Sequence, residues 1–210
     1  SREFAVKFSL VGFKRAVGVL AASLTLTSSL VALDAIDPPA AHATTIGTGN
    51  CQSNVDNSSG AYVFDGGTYC YVMFVNTGTT YTWTKPASVV VMDLLVVGGG
   101  GSGAVRHAGG GGAGGLIQET NVAVNSGTSN FSIVVGAGGA AVPAQGAGVG
   151  AEGNAGSSSS LSGTNFTTRT AVGGSGGGFN VAPATGGSGG GGGTNFSVGG
   201  AGTAGQGFAG

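Results

Sequence analysis

Three glycine-containing patterns in this sequence match motifs that position phosphates or nucleophiles. Residues 98–103 fit G-x-G-x-x-G, the phosphate-binding turn that follows a strand in dinucleotide-binding folds. Residues 173–177 and 186–190 each fit G-x-S-x-G, the turn that presents a nucleophilic serine in α/β-hydrolases. The first chemistry requires a helix N-terminus after the glycines, and the second requires a histidine base oriented by an acid.

The sequence does not supply the elements that these motifs require. Residues 109–115 hold six glycines in seven positions, and each glycine costs a helix about 1 kcal/mol, so no phosphate-binding helix is expected there. His107 is the single histidine after residue 43, and no Asp follows Asp93 to orient it. We therefore expect no catalytic residues and no enzyme, and a secreted hydrolase is the weakest functional class considered.

Metal, cofactor and nucleic-acid chemistry are not expected either. After residue 43 the chain has two cysteines and one histidine, too few for a zinc site. Three basic against five acidic residues in the same part provide no basic patch for a nucleic-acid backbone. In an exported chain, Cys51 and Cys70 predict one disulfide that closes a loop of 20 residues and contributes about 3 kcal/mol.

Residues 1–43 have the order of parts of a secretory signal peptide. Basic residues including Lys14 and Arg15 precede the uncharged apolar residues 16–33, and the tripeptide Ala41-His42-Ala43 follows, which predicts cleavage before Thr44. An uncleaved signal anchor is the alternative, because about 18 apolar residues nearly span a bilayer. We expect a secreted or cell-surface chain that contacts a membrane only through this signal peptide or through an anchor outside these residues.

Residues 44–97 have the pattern of short strands. Polarity alternates in Tyr69–Val75 and again in Thr80–Thr84, which is the period of a half-buried strand. Asn76-Thr77-Gly78 between them has turn chemistry and predicts a hairpin. Trp83 and the tyrosines are expected to pack in the core or across strands.

Val89–Val97 is a nearly continuous apolar run and predicts a strand covered on both faces. Asp93 in its middle either faces a sheet edge or accepts a hydrogen bond from a backbone donor. Neither interpretation gives it a function.

Glycine dominates residues 98–210, which contain 39 of the 47 glycines. No G-X-Y period is present, which excludes collagen, and the low net charge argues against disorder. The segments that keep strand character are Leu116–Val124, Phe131–Val135, Phe166–Val172 and Asn195–Val198. Three similar pieces, residues 126–132, 162–167 and 192–197, each end a glycine tract with a turn and place one Phe inward, which predicts a repeating unit.

Glycine tracts can be ordered if their backbones bond laterally. A polyproline II tract has no internal hydrogen bonds, and the absence of a Cβ lets neighbouring tracts approach closely and donate to one another. A flexible linker is the alternative, but linkers lack embedded Val-rich strands. The predicted fold is all-β, with short antiparallel strands or a sandwich, and with packed polyglycine II helices in residues 98–210.

Several segments in order resemble a bacterial, actinobacterial-type glycine-rich surface domain. They are Thr80–Pro86, Val89–Val97, Gly98–Gly101, Val134–Gly139, Asn154–Ser158 and Ala171–Gly174. The resemblance covers about residues 62–210, extends to glycine-rich domains of phage tail adhesins, and is looser toward the glycine-rich ectodomain of the anaplastic lymphoma kinase receptor family. It implies an extracellular β-rich domain with packed polyglycine helices that acts in adhesion or recognition, without catalysis.

The functional expectation is a structural or adhesive module that binds a glycan or protein through its loops. Arg106 and His107 form the candidate contact site, because they are the charged pair next to a glycine turn. Ice binding, or a scaffold without a specific ligand, is the alternative. Because the chain begins without Met and stops within glycine-rich sequence, we expect a piece of a longer protein, truncated at the C-terminus.

Overall fold

The computed structural model describes residues 3–7, 45–46, 53–56, 59–65, 69–125, 127–128, 130–143, 149–194 and 198–210. Within these residues the ordered elements are strands, and no helix is present. In chain order the strands are Glu3–Lys7 (β1), Thr45–Ile46 (β2), Ser53–Asp56 (β3), Ala61–Asp65 (β4), Tyr69–Phe74 (β5), Thr80–Thr84 (β6), Val91–Val97 (β7), Leu116–Ala123 (β8), Asn130–Val134 (β9), Ser159–Gly163 (β10) and Phe166–Ala171 (β11). The predicted all-β class with short strands is confirmed.

The strands form two sheets. One has the order β4-β5-β1-β7-β8, in which β1 runs parallel to both of its neighbours and the outer pairs are antiparallel. The other has the order β11-β10-β9-β6-β3-β2 and is antiparallel throughout.

Alternating side chains of the two sheets share one core. Strand β5 buries every second residue, as does β7, and the buried members include Val72 and Leu94. From the other sheet, Trp83 of β6 is fully buried, and its ring stacks on that of Phe131 of β9 with centroids 5.4 Å apart. The expectation that Trp83 packs in the core is confirmed, and Phe131 points inward as predicted.

The predicted hairpin between β5 and β6 is wrong. These strands belong to different sheets, and the chain crosses from one sheet to the other at the turn Thr77-Gly78. Phe74 at the end of β5 meets Tyr81 of β6 across the core, with ring centroids 5.0 Å apart. Both strands have an apolar face, and facing each other buries those two faces, whereas side-by-side pairing would only have extended one sheet.

Strand β7 has one buried face and one partly covered face rather than two fully covered ones. Asp93 lies on the partly covered face, at a register irregularity with β8. Its Oδ1 accepts the backbone N–H of Asn121 at 2.8 Å, so the backbone-donor alternative is the correct one. Asn121 has φ +56°, a left-handed conformation that asparagine tolerates better than most residues.

The predicted strand islands at residues 116–124, 131–135 and 166–172 correspond to β8, β9 and β11. Strand β10 was not predicted. The fourth island includes residues 195–197, which lie outside the described residues, and Val198 belongs to no strand. Of the three similar pieces, the second forms the turn between β10 and β11, with Asn165 at φ +57°.

Strand β1 falls within the predicted signal peptide. It pairs with β5 and β7, so a chain cleaved before Thr44 would lack the middle strand of its five-stranded sheet. Cleavage itself remains a prediction. No helix among the described residues is long and apolar enough to cross a membrane.

The glycine-rich segments bond to one another laterally with a period of three residues. The N–H groups of residues 98, 101 and 104 donate to carbonyls of segment 109–115, and those of residues 99, 102 and 105 donate to carbonyls of segment 151–157. The carbonyls of residues 99 and 102 accept from segment 172–178, and that of residue 100 accepts from Gly139. Segment 98–105 is therefore bonded to four neighbouring segments, and its backbone takes the place that side chains hold in an ordinary core.

We call this assembly the glycine bundle and define it as residues 98–115, 136–140, 151–158, 172–178, 186–191 and 199–210. At most glycines within it, a side chain would collide with backbone. A Cβ on Gly101, for example, would lie 2.0 Å from the carbonyl oxygen of Ser175. Since real contacts of this type are not shorter than 3.0 Å, glycine is required there by the approach of segment 172–178. A period of three is that of polyproline II, but the polyglycine II helix itself remains a prediction.

Candidate binding site at the distal loops

The loops of the glycine bundle come together at the end that lies away from the sheets. Strands β7 and β9 lead into the bundle segments that begin at residues 98 and 136, and β8 and β10 follow the segments that end at residues 115 and 158, so the connecting loops lie at the other end. We define the distal loop cluster as residues 104–109, 149–152, 178–181 and 192–194. Hydrogen bonds join its parts.

The loop with the predicted contact residues is anchored on several sides. Val105 forms a β-bridge with Ala151, its N–H donating to the Ala151 carbonyl at 3.0 Å. The N–H of Gly109 donates to the Gly178 carbonyl at 2.9 Å, and the Thr194 hydroxyl donates to the His107 carbonyl. The backbone of this loop is therefore tied to three other segments of the cluster.

Arg106 and His107 both lie exposed at the tip of this loop. Their φ angles are +67° and +48°, which puts two consecutive residues with a Cβ in the left-handed region. Each such residue costs on the order of 1 kcal/mol, and the anchors described above hold it in place. That the two residues contact a ligand remains a prediction at this stage.

Glu152 organises the neighbouring loop. Its Oε2 accepts the N–H of Phe179 at 2.6 Å, and its Oε1 accepts those of Asn180 at 2.6 Å and Val181 at 3.1 Å. Partial desolvation raises the pKa of this carboxyl, but the three backbone donors outweigh it, and the net pKa lies below the ordinary glutamate value. Three successive N–H groups thus hold one carboxylate.

Sequence reasoning did not single out Glu152. In the sequence it is a single acidic residue at the start of a glycine tract, and this pattern matches no functional motif. The only available indication was that residues 98–210 contain just two acids, so each could be expected to have a backbone partner.

The cluster also has an apolar part. Val149 is 53 % exposed and Val181 is 56 % exposed, whereas the Phe179 ring lies against Gly150. A Cβ on Gly150 would be 2.3 Å from that ring, so this glycine makes room for it.

The motif matches described at the outset lie inside the glycine bundle. Residues 98–103 form the bonded segment that follows β7, and the described residues after them contain no helix. Ser175, the serine of the first G-x-S-x-G match, is 1 % exposed, and its hydroxyl accepts the N–H of Gly190. Its hydroxyl is therefore buried and links two glycine segments.

The predicted disulfide and the predicted cleavage site both include residues outside the described part of the chain. Cys70 is fully buried in β5, but Cys51 lies outside the described residues, as do Ala43 and Thr44 of the cleavage site, so the disulfide and the cleavage remain predictions. Among the described residues, no group of three or more His, Cys, Asp or Glu side chains is placed to hold a metal ion.

An all-β fold in which laterally bonded glycine segments extend a small sandwich defines a glycine-rich domain protein. A family model described as a glycine-rich domain matches residues 75–210, and the chain belongs to that family. The match contains the glycine bundle and the distal loop cluster. Comparison with curated proteins gave no match, and comparison with solved structures gave none.

Proposed function

We propose that this chain is a secreted or cell-surface glycine-rich module that adheres to extracellular glycans or proteins through its distal loop cluster. The observation that supports the proposal is the joining of four loop segments at one end of a bundle whose backbone is bonded on several sides. A laterally bonded backbone gives these loops a rigid base, and loops on rigid scaffolds are where binding residues concentrate.

The finer parts of the proposal rest on sequence. Export rests on the signal peptide predicted in residues 1–43, and surface display rests on the likeness to actinobacterial-type surface domains and phage tail adhesins. The period-three hydrogen bonds support polyglycine II packing, because that conformation repeats every three residues.

Adhesion is tested with beads that carry the purified chain and are incubated with bacterial cells and with isolated cell walls. The proposal predicts that the beads adhere and that substitutions in the distal loop cluster reduce adhesion. Matched substitutions on strand β8, which lies at the other end of the bundle, should leave it unchanged. Adhesion that is insensitive to every loop substitution would refute the role of the loops.

N-terminal sequencing of the exported protein tests the proposed signal-peptide cleavage, which predicts Thr44 as the first residue.

A second candidate, ice binding, is favoured by one feature of the bundle surface. Gly100, Gly103, Gly110 and Gly138 are exposed, and a Cβ on any of them would meet nothing closer than 3.6 Å. Gly100 and Gly138 lie on adjoining segments, since Gly139 donates to the Gly100 carbonyl. An exposed surface without side chains can present regularly spaced backbone groups. Thermal hysteresis of the purified chain would favour this function over adhesion.

A further inference from the structure

The charges of residues 69–210 are few enough to be followed one by one. They are Lys85, Asp93, Arg106, Glu119, Glu152 and Arg169. Lys85 is buried and donates from Nζ to the Val89 carbonyl at 2.7 Å. Asp93 accepts a backbone N–H, and Arg169 binds Glu119 with Nε and Oε1 2.8 Å apart.

The two charged residues that remain, Glu152 and Arg106, differ in their partners. Glu152 is occupied by three backbone N–H groups. Arg106 has no ion pair and no side-chain hydrogen bond within the described residues. Every other charged side chain in residues 69–210 has a partner, whereas Arg106 is exposed at the tip of an anchored loop.

Arg106 is also held in a costly conformation. Its φ of +67°, followed by +48° at His107, puts two side chains where glycine would be favoured. Strain of this kind persists when the surroundings impose it, and an observed outlier is a reason to examine function. Here the bonds from Val105 to Ala151 and from Thr194 to His107 impose it, so the backbone from which both side chains project is held in place before a ligand arrives.

The side chain of Arg106 is chemically suited to an anion. Glu152, the acid of the cluster, keeps its negative charge, but its oxygens accept three backbone N–H groups and, in the described part of the chain, form no ion pair with the guanidinium. An exposed guanidinium offers five donors in a planar fork, which suits a carboxylate or phosphate oxyanion, and the imidazole of His107 adds a donor or acceptor beside it. Val149 and Val181, both more than half exposed, provide apolar surface for the body of a ligand.

We infer that Arg106 and His107 form a subsite for the oxyanion groups of an anionic polysaccharide. This inference rests on the proposed adhesive function and gives it a ligand class. One negative group on a sugar ring binds the guanidinium, and the ring packs on the exposed apolar residues. A polymer with one such group per repeat engages several copies of a surface-displayed domain at once, which raises avidity without a new contact.

The test measures retention of the purified full chain on three immobilised polymers. They are polygalacturonate, which carries carboxylates, phosphomannan, which carries phosphodiesters on sugar rings, and neutral dextran. The inference predicts retention on an anionic polysaccharide at low salt, with release as salt screens the pair. Retention on polygalacturonate alone identifies the oxyanion as a carboxylate, and retention on phosphomannan alone identifies it as a phosphodiester. Equal retention on dextran overturns the inference.

Variants decide whether Arg106 is responsible. Arg106→Asn removes the charge and keeps a residue that tolerates the left-handed region, and it should weaken binding about tenfold or more, the effect of losing a charge-assisted hydrogen bond. Arg169→Asn makes the same change in net charge at an arginine outside the cluster and should weaken binding less than twofold. Equal effects of the two variants would show that only net charge matters and would overturn the inference. A common thermal unfolding midpoint for Arg106→Asn and the unmodified chain excludes a folding defect.

The bead assay separates this inference from the proposed function. Adhesion to cells that survives Arg106→Asn leaves the adhesive function standing and overturns the anionic ligand. Retention on an anionic polymer that requires Arg106, without adhesion to any cell or wall, supports the subsite and refutes the adhesive function.

Discussion

Replacement of Gly101 by alanine tests whether backbone approach holds the glycine bundle together. The added Cβ would lie 2.0 Å from the Ser175 carbonyl oxygen, so segment 172–178 must move away. That movement breaks three hydrogen bonds, from Gly112 to Ser175, from Gly174 to Gly99 and from Gly177 to Ser102. At about 1 kcal/mol net for each bond, the loss is about 3 kcal/mol.

The same substitution also has a favourable effect, because alanine restricts the unfolded chain by roughly 0.4–1 kcal/mol. The net expectation for Gly101→Ala is a loss of about 2 kcal/mol in the free energy of unfolding. In a domain of this size that loss lowers the thermal unfolding midpoint by roughly 4–8 °C. Gly110→Ala is the matched control, since a Cβ there meets nothing within 4 Å. It should be neutral or stabilising by up to about 1 kcal/mol.

Urea unfolding followed by circular dichroism measures both variants against the unmodified chain. If Gly101→Ala were as stable as Gly110→Ala, segment 172–178 would not approach Gly101 as the structure has it. Close approach of glycine backbones would then not be what holds the glycine bundle together.

Three further predictions concern the loops, the sandwich and the cysteines. Glu152→Gln should destabilise the distal loops. Because folding lowers the pKa of Glu152, the stability that this carboxylate contributes is present above the ordinary glutamate pKa of about 4.3 and is lost as pH falls through the lowered value. The difference in thermal unfolding midpoint between the variant and the unmodified chain should therefore shrink at acid pH, and a difference that grew would contradict this role of Glu152. Trp83→Ala should cost about 3–5 kcal/mol, because the side chain is fully buried against Phe131, and a cost below about 1 kcal/mol in urea unfolding would place it outside the core. Mass spectrometry of the exported chain without reductant should show Cys51 joined to Cys70, and reduction should lower stability by about 3 kcal/mol; two alkylatable thiols in the native protein would disprove the pairing.

The sequence predicted well what depends on local pattern. Alternation in Tyr69–Val75 and Thr80–Thr84 identified the strands β5 and β6 and separated the two faces of each. Their partners could not be derived in the same way, because a period of two says which side chains share a face but not which strand lies beside them. The hairpin prediction failed for that reason, since two apolar faces meeting across the core give the same pattern as a hairpin.

Strand β10 shows a second limit. Ser159–Gly163 contains one large apolar residue, Leu161, and its buried Ser159 contributes a hydroxyl that bonds Gly136 and the Val97 carbonyl rather than apolar surface. No hydrophobic period marks such a strand. It exists because β9 and β11 pair with it on either side.

In the candidate site, composition indicated the loop but not its construction. Arg106 and His107 were identifiable as a charged pair beside a glycine turn. Their left-handed conformation and the role of Glu152 depend on contacts between residues far apart in the chain, such as that from Glu152 to Phe179. Glycine-rich sequence leaves these contacts unmarked, because the bonding groups are backbone atoms that every residue has.

The central claim is that backbone hydrogen bonds between glycine segments form a core. Amide hydrogen exchange at Gly99, Gly101, Gly112 and Gly174 tests it most directly, because each donates to a carbonyl of another segment. We expect these amides to exchange as slowly as those of the interior strands β7 and β9, within about tenfold, and to open only with global unfolding. Exchange at the rate of an unfolded chain, while β7 and β9 stay protected, would show that the glycine segments are a flexible linker and would contradict the account.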